Sequence, residues 1–268
     1  VLVLVVSTSA NDVELASDIL WSLGVVAIEE RDVAGSIELW TSLGDDRDAA
    51  AAEVSQRLAA WSWRFVEVDE TIADTWRQHS QPVRVDPDLV ICPAWVPFDA
   101  EPGVTVLRVE PGATFGLGDH PTTILSMRAV RAALRPGSTV LDVGCGSGVL
   151  AIGACALGAS RAVAIDISPA SVAVARANAV ANGVADRVDV SNTPLSAMDG
   201  EFDIVVANIL APTLVELAGD LVRTVSPSGV LIVSGILADR HDHVEAALQP
   251  MRRIRRDVLD GWAALTLG

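Results

Sequence analysis

The chain has 268 residues, half of them apolar, and a formal charge of −16 at pH 7. That length and apolar share suffice for one large or two modest cores and exclude a disordered chain, and no run nears the ~20 apolar residues of a membrane helix, so no membrane partner is expected. Every cation is an arginine, and the absence of lysine and tyrosine excludes Schiff-base lysine and tyrosine acid–base chemistry.

Residues 1–68 read as βαββαβ. VLVLVVS is a strand and not a signal peptide, since it lacks a basic flank and a cleavage site. NDVELASDILWSLG is a helix capped by Asn11 or Asp12, and VVAIEE and SIELWTS are strands. DDRDAAAAEVSQRLAAW is a helix with acids in its first turn, and WRFVEVD is a last strand. This order is that of a ferredoxin-like α+β domain. Residues 1–70 carry fourteen acids against four arginines, and the first strand has no aromatic residue. Such a surface repels RNA and suits a basic protein, so direct nucleic-acid contact is not expected. A plain structural add-on, or the acidity of a high-GC or salt-adapted proteome, would look the same.

Residues 69–103 form a connector with five prolines and two short strands, VRV and LVICPAW. From residue 104 a second domain begins. VTVLRVEPG leads into the loop ATFGLGDHPTT, and TTILSMRAVRAAL continues as an amphipathic helix with Pro121 near its first turn. Strands follow at STVLDV, RAVAID, DRVDVS, FDIVVAN, GVLIVSG, MRRIRRDVL and GWAALTLG. Helices fall near 148–157, 169–182, 211–224 and 237–248. The alternation implies a Rossmann-like parallel sheet covered on both faces. The last two strands have no helix between them, so one runs antiparallel at the sheet edge. The three cysteines, Cys92, Cys145 and Cys155, are odd in number and apolar in setting, which fits a reduced, cytoplasmic protein.

The segment Val140–Leu150, VLDVGCGSGVL, carries the chemistry. A strand ends on Asp142, glycines follow at 144, 146 and 148, and a helix begins. Glycines let a backbone approach a ligand closely, and free amides at a helix start favour electronegative groups. A dinucleotide fingerprint is G-x-G-x-x-G, with its third glycine one position later. A carboxylate just before the loop would repel a diphosphate but suits an ammonium, the end that S-adenosylmethionine carries. Asp166 ends the next strand, twenty residues beyond Gly146, where a carboxylate accepts ribose hydroxyls. Asn208 ends FDIVVAN. Gly144, Gly146, Asp142, Asp166 and Asn208 therefore read as an S-adenosylmethionine site at strand carboxyl ends.

PGATFGLGDHPTT, VLDVGCGSGVLAIGACALGA, AIDISPASVAVARANAVANGV and VVANILAPTLVELA together resemble the PrmA family, bacterial methyltransferases of ribosomal protein L11. The resemblance implies a class I methyltransferase domain at 104–268 with a seven-stranded sheet, behind a substrate-recognition domain at 1–68. It implies donor contacts at Thr123, Gly144, Asp166 and Asn208, and L11, free or on the ribosome, as partner. Leu117 and Thr114 depart from the family's usual threonine and alanine, on the side of the acceptor channel.

Methyl transfer is an in-line displacement that needs alignment and exclusion of water, and no metal. Asn208 is followed by Ile209, Leu210, Ala211 and Pro212, with no aromatic platform for a flat amide or base. An aliphatic amine is therefore the acceptor: a lysine side chain, with the α-amine as a second class. An apolar channel of Phe115, Leu117 and Ile209 would keep that amine neutral, and backbone carbonyls or Asn208 would aim it. His120 either caps its loop or orients the acceptor. His241 and His243 read as solvated and not as metal ligands, and Cys145 as a backbone position without a triad. Methylation of another basic protein, a non-catalytic donor-binding assembly partner and an oxidoreductase remain the alternatives.

Overall fold

A computed structural model describes residues 2–9, 12–23, 25, 28–33, 35–41, 47–67, 80–110 and 118–268. Two compact units divide between Ser80 and Gln81.

In the first unit, strands β1 (Leu2–Thr8), β2 (Glu29–Val33), β3 (Ser36–Thr41) and β4 (Ser62–Glu67) alternate with helices α1 (Val13–Ser22) and α2 (Arg47–Arg57). The sheet order is β2-β3-β1-β4 and every pair is antiparallel, the ferredoxin-like arrangement. Alternation along β1 sends Leu4 and Val6 into a core with Ala16 and Leu20 of α1, Leu39, and Val54 of α2. On the other face Trp40 of β3 has the Arg31 guanidinium 3.9 Å from its ring centroid and donates from Nε1 to Glu38. That ring face is already occupied, which disfavours base stacking. Asp12 stands just before α1, and its carbonyl accepts from Ala16 N–H; the alternative cap, Asn11, lies outside the described residues.

One strand differs from expectation. The second strand, read as VVAIEE at 25–30, is the polar segment Glu29–Val33. The tight connection to β3 pairs Val33 with Ser36 and Glu29 with Trp40, so the turn at Gly35 and not hydropathy sets the register. An edge strand needs no apolar stripe.

The second unit holds two sheets. In the smaller, β5 (Val83–Asp86) and β6 (Leu89–Pro93) pair antiparallel and β6 runs parallel to β7 (Thr105–Val109). The two short strands expected in a connector thus belong to the second unit, because β6 bonds to β7 and Val85, Leu89 and Ile91 enter its core. The larger sheet contains β8 (Thr139–Val143), β9 (Arg161–Ile165), β10 (Val188–Ser191), β11 (Phe202–Asn208), β12 (Val225–Leu237), β13 (Arg253–Leu259) and β14 (Trp262–Leu267). Its order is β10-β9-β8-β11-β12-β14-β13. All neighbours are parallel except β14, which is antiparallel to both β12 and β13. The antiparallel strand therefore sits inside the edge and not on it.

Helices cover both faces. On one side α3 (Pro121–Ala133), α4 (Val149–Ala156) and α5 (Pro169–Ala181) bury Met127, Ile152 and Ala175 against Val140, Ala162 and Ile204. On the other, α6 (Ala211–Glu216), α7 (Ala218–Arg223) and α8 (Asp242–Ala247) bury Leu214, Leu221 and Val244 against Leu141, Val205 and Leu231. Successive strand residues thus feed opposite cores, the pattern of a sheet buried on both faces. The expected helix at 211–224 is two, divided at Leu217, and the one expected from 237 begins at Asp242. Leu237 still pairs with Trp262 at the end of β12, and a turn over 238–240 separates it from the helix. Among the described residues no helix is long and apolar enough to cross a membrane.

Candidate methyl-donor site

The glycine loop closes the carboxyl end of β8. Gly144 and Cys145 both donate to the Ile165 carbonyl at the end of β9, at 2.9 and 3.0 Å, and Gly148 donates to the Cys145 carbonyl at 2.8 Å. All three glycines have positive φ, +70°, +52° and +78° at 144, 146 and 148, where a side chain would be strained. Space forbids a side chain as well. A Cβ on Gly144 would lie 2.5 Å from Ile209 Cγ2, and one on Gly148 would lie 2.9 Å from Ala175 Cβ. This is a backbone cradle whose shape depends on missing side chains. Gly148 caps α4 without a side chain to bond the first amides of that helix.

Asp166, one residue past β9, is half-buried. Its Oδ2 accepts from Gly146 N–H and its Oδ1 from Ser168 N–H, both at 2.9 Å. The carboxylate so joins the second strand end to the glycine loop, and lone pairs remain for further donors. Beside it Ile167 is 92% exposed. The sequence reading missed this residue. The signal was an apolar side chain directly after the strand-end acid, in a loop where nothing predicts a core. An isoleucine held in water at the rim of a cradle offers a surface for a flat, weakly polar ring.

Asp142 is placed differently from expectation. It is 1% exposed, and its Oδ2 accepts from Ala151 N–H in the first turn of α4 at 3.0 Å. It therefore ties β8 to the helix that leaves the loop. Burial, with the negative charge of Asp166 adding to it and the Ala151 bond opposing it, raises its pKa to about 7. Burial likewise pushes the Cys145 thiol far up, with Asp142 and Asp166 contributing, so this cysteine carries no thiolate.

Asn208 ends β11, half-buried, in register with Ser234 of β12. The residue after it is gripped from two sides: Ile209 packs its side chain on Gly144, and its carbonyl would lie 2.3 Å from a Cβ on Gly235. Gly144 and Asn208 thereby come to adjoining strand ends. Thr123 is 2% exposed in the first turn of α3, a helix that packs on β11, β12 and β14. His120 is the N-cap of α3. Its Nδ1 accepts from Thr122 N–H at 3.3 Å and lies 2.7 Å from Thr122 Oγ1, while its ring meets Trp262 edge-on at 5.0 Å. Burial lowers its pKa against the pull of Asp119, which keeps it neutral as a cap requires. Of the acceptor channel, Phe115, Leu117 and Thr114 lie outside the described residues.

His243 is exposed, but His241 is not solvated as expected. Its Nδ1 lies 2.9 Å from Glu245 and 3.3 Å from Asp242, and Arg253 occupies the same Glu245 carboxylate.

A sheet in this order, with its one antiparallel strand second from the edge and its glycine loop and acid on neighbouring strand ends, is the class I methyltransferase fold. A sequence model described as Ribosomal protein L11 methyltransferase (PrmA) matches residues 2–267, and the chain belongs to that family. The ribosomal protein L11 methyltransferase of Geobacter metallireducens is 49% identical over 176 residues, 66% of this chain and 58% of that protein. That of Geobacter sulfurreducens is 46% identical over 214 residues, 80% of this chain and 69% of the relative. The match thus spans less than two thirds of the first relative's length. A crystal structure of ribosomal protein L11 methylase from Lactobacillus delbrueckii subsp. bulgaricus superposes with a TM-score of 0.65 at 33% identity, over 70% of this chain and 97% of that one.

Proposed function

We propose that this protein is an S-adenosylmethionine-dependent protein N-methyltransferase that modifies lysine side chains, and the α-amine as a second class, of ribosomal protein L11. The observation that carries the reading is the cradle itself: Gly144, Gly146 and Gly148 at positive φ, bonded through Gly146 to Asp166, with Ile167 standing free beside it. These residues fit the donor. The loop's backbone is free of side chains, with no room for one at Gly144 or Gly148, Asp166 offers acceptor lone pairs for ribose hydroxyls, and Ile167 offers its apolar face to the adenine. When bound, S-adenosylmethionine supplies a sulfonium methyl for in-line transfer to an amine.

The chain's own residues align and exclude water. Asn208 aims the incoming amine with its side-chain carbonyl. Ile209, fixed by Gly144 and Gly235, presents an aliphatic wall that favours the neutral amine over the ammonium. Thr123 closes the donor site from the start of α3. Asp142 acts from beneath, holding β8 to α4. The acidic first unit supports recognition of a basic protein, and three buried free cysteines support a cytoplasmic setting.

The test is incubation with labelled S-adenosylmethionine and undermethylated bacterial ribosomal proteins, then mass spectrometry of labelled bands. Label on lysines of L11 is the expected result. Label confined to other proteins would discard the acceptor, and donor binding with no label on any protein would discard the activity.

A further inference from the structure

Among the described residues strand β7 pairs with β6 alone, and its other edge is bonded by a helix instead of a strand. Asn182, the C-cap of α5, accepts from Arg108 N–H at 2.8 Å and donates Nδ2 to the Arg108 carbonyl at 2.7 Å. One turn earlier Asn178 does the same to Glu110, accepting from its N–H at 3.0 Å and donating to its carbonyl at 2.9 Å. The spacing explains the match. Alternate strand residues present their polar groups to one side about 6.6 Å apart, and helix residues four apart rise about 6 Å.

The two asparagines differ in where their further donation goes: Asn182 Nδ2 also donates to the Asn178 carbonyl within α5, at 2.8 Å. Asn178, 3% exposed, also donates Nδ2 to the Ser147 carbonyl at 2.9 Å, between Gly146 and Gly148. Both of its amide hydrogens are thereby used. Ala175, one turn back on α5, is the neighbour that leaves Gly148 no room for a Cβ. Helix α5 so grips the glycine loop through Ala175 and Asn178, whereas no bond of Asn182 to that loop accompanies its bonds to β7.

We propose that Asn178 is a positioning residue for the methyl-donor site: it holds the Ser147 carbonyl, and with it the loop amides on either side, in the orientation that receives the donor. Asn182 serves strand β7. The inference rests on the donor reading above.

Asn178→Asp keeps the acceptor for Glu110 N–H and turns both donations into oxygen–oxygen contacts, and Asn182→Asp does the same to β7 without touching Ser147. Asn178→Ala and Asn182→Ala repeat the comparison without added charge. The readouts on the full chain are Tm, calorimetric Kd for S-adenosylmethionine, and kcat on L11 at saturating donor. Both pairs are expected to lower Tm, but only the Asn178 variants weaken donor binding, by about tenfold, the size of one lost buried hydrogen bond. Their kcat at saturating donor stays within about twofold of the unaltered chain. Equal weakening by both pairs, or by neither, overturns the proposal, since a purely structural ladder moves Tm alone. Donor binding by the unaltered chain separates the two readings: without it both fall, and with it an unchanged Kd in the Asn178 variants removes only the positioning role.

Discussion

Asp142 shows how far one residue's place can lie from its reading in the chain. A carboxylate ahead of a glycine loop suggested a direct partner for the donor's ammonium, yet it is buried and bonded to Ala151 N–H. No local pattern reveals which way a strand-end side chain points. Its pKa of about 7 has a consequence for stability. An acid whose folded pKa lies above its unfolded one binds more protons folded than unfolded, so its contribution falls as pH rises from about 4 to about 7 and stays lost above. An asparagine in its place keeps an acceptor for Ala151 N–H without that penalty. Asp142→Asn should therefore raise Tm relative to the unaltered chain by more at about pH 8 than at about pH 4, read by thermal melts across that range. At Gly144 both φ and Ile209 oppose a side chain. Gly144→Ala should cost about 1–2 kcal/mol in denaturant melts and abolish measurable donor binding in calorimetry. Asn208→Ala should lower kcat on L11 about a hundredfold with Tm unchanged, the loss expected when an aligned nucleophile drifts. Unchanged turnover in that variant removes Asn208 from the site.

Elements with a strong period were readable, and those whose limits depend on partners were not. The glycine loop, the strands β8, β9 and β11 and the capped helix α3 stand where spacing puts them, because buried parallel strands and proline-started helices are specified by their own residues. Strand β2 moved because a turn sets its register, and the start of α8 moved because Leu237 pairs with β14 and a turn follows it. Helix α4 holds a further constraint that is invisible in its Ala-rich sequence. A Cβ on Gly153 would come within 2.3 Å of Met127 of α3 and 3.0 Å of Leu107 of β7. A side chain there requires the buried ends of Met127 and Leu107 to move. Gly153→Val should destabilise the fold by about 2 kcal/mol, seen as a lower denaturant midpoint with an unchanged m-value.

Two units with separate cores make up the described chain, one built around Leu4, Leu39 and Val54 and the other on the two faces of the seven-stranded sheet. Separate cores imply separate folding. A fragment of residues 81–268 should melt cooperatively and bind S-adenosylmethionine with the Kd of the full chain, yet methylate L11 far more slowly, with the loss in kcat/KM. A fragment as active on L11 as the full chain would remove recognition from the first unit. The boundary of that unit was not legible, since prolines between 69 and 103 read as a connector while the backbone of β6 was waiting for β7, twelve residues further on. The sequence by itself determined the class of fold, the glycine loop and the placing of polar residues at strand ends, because hydrophobic period, glycine spacing and strand-to-helix order are local properties of the chain. Only the tertiary structure decided that Asp142 turns inward, that Ile167 stands free and that Asn178 reaches both Glu110, just past β7, and the glycine loop. The Asn178 bonds join segments up to 68 residues apart, and they exist only once the sheet has brought the strand ends together.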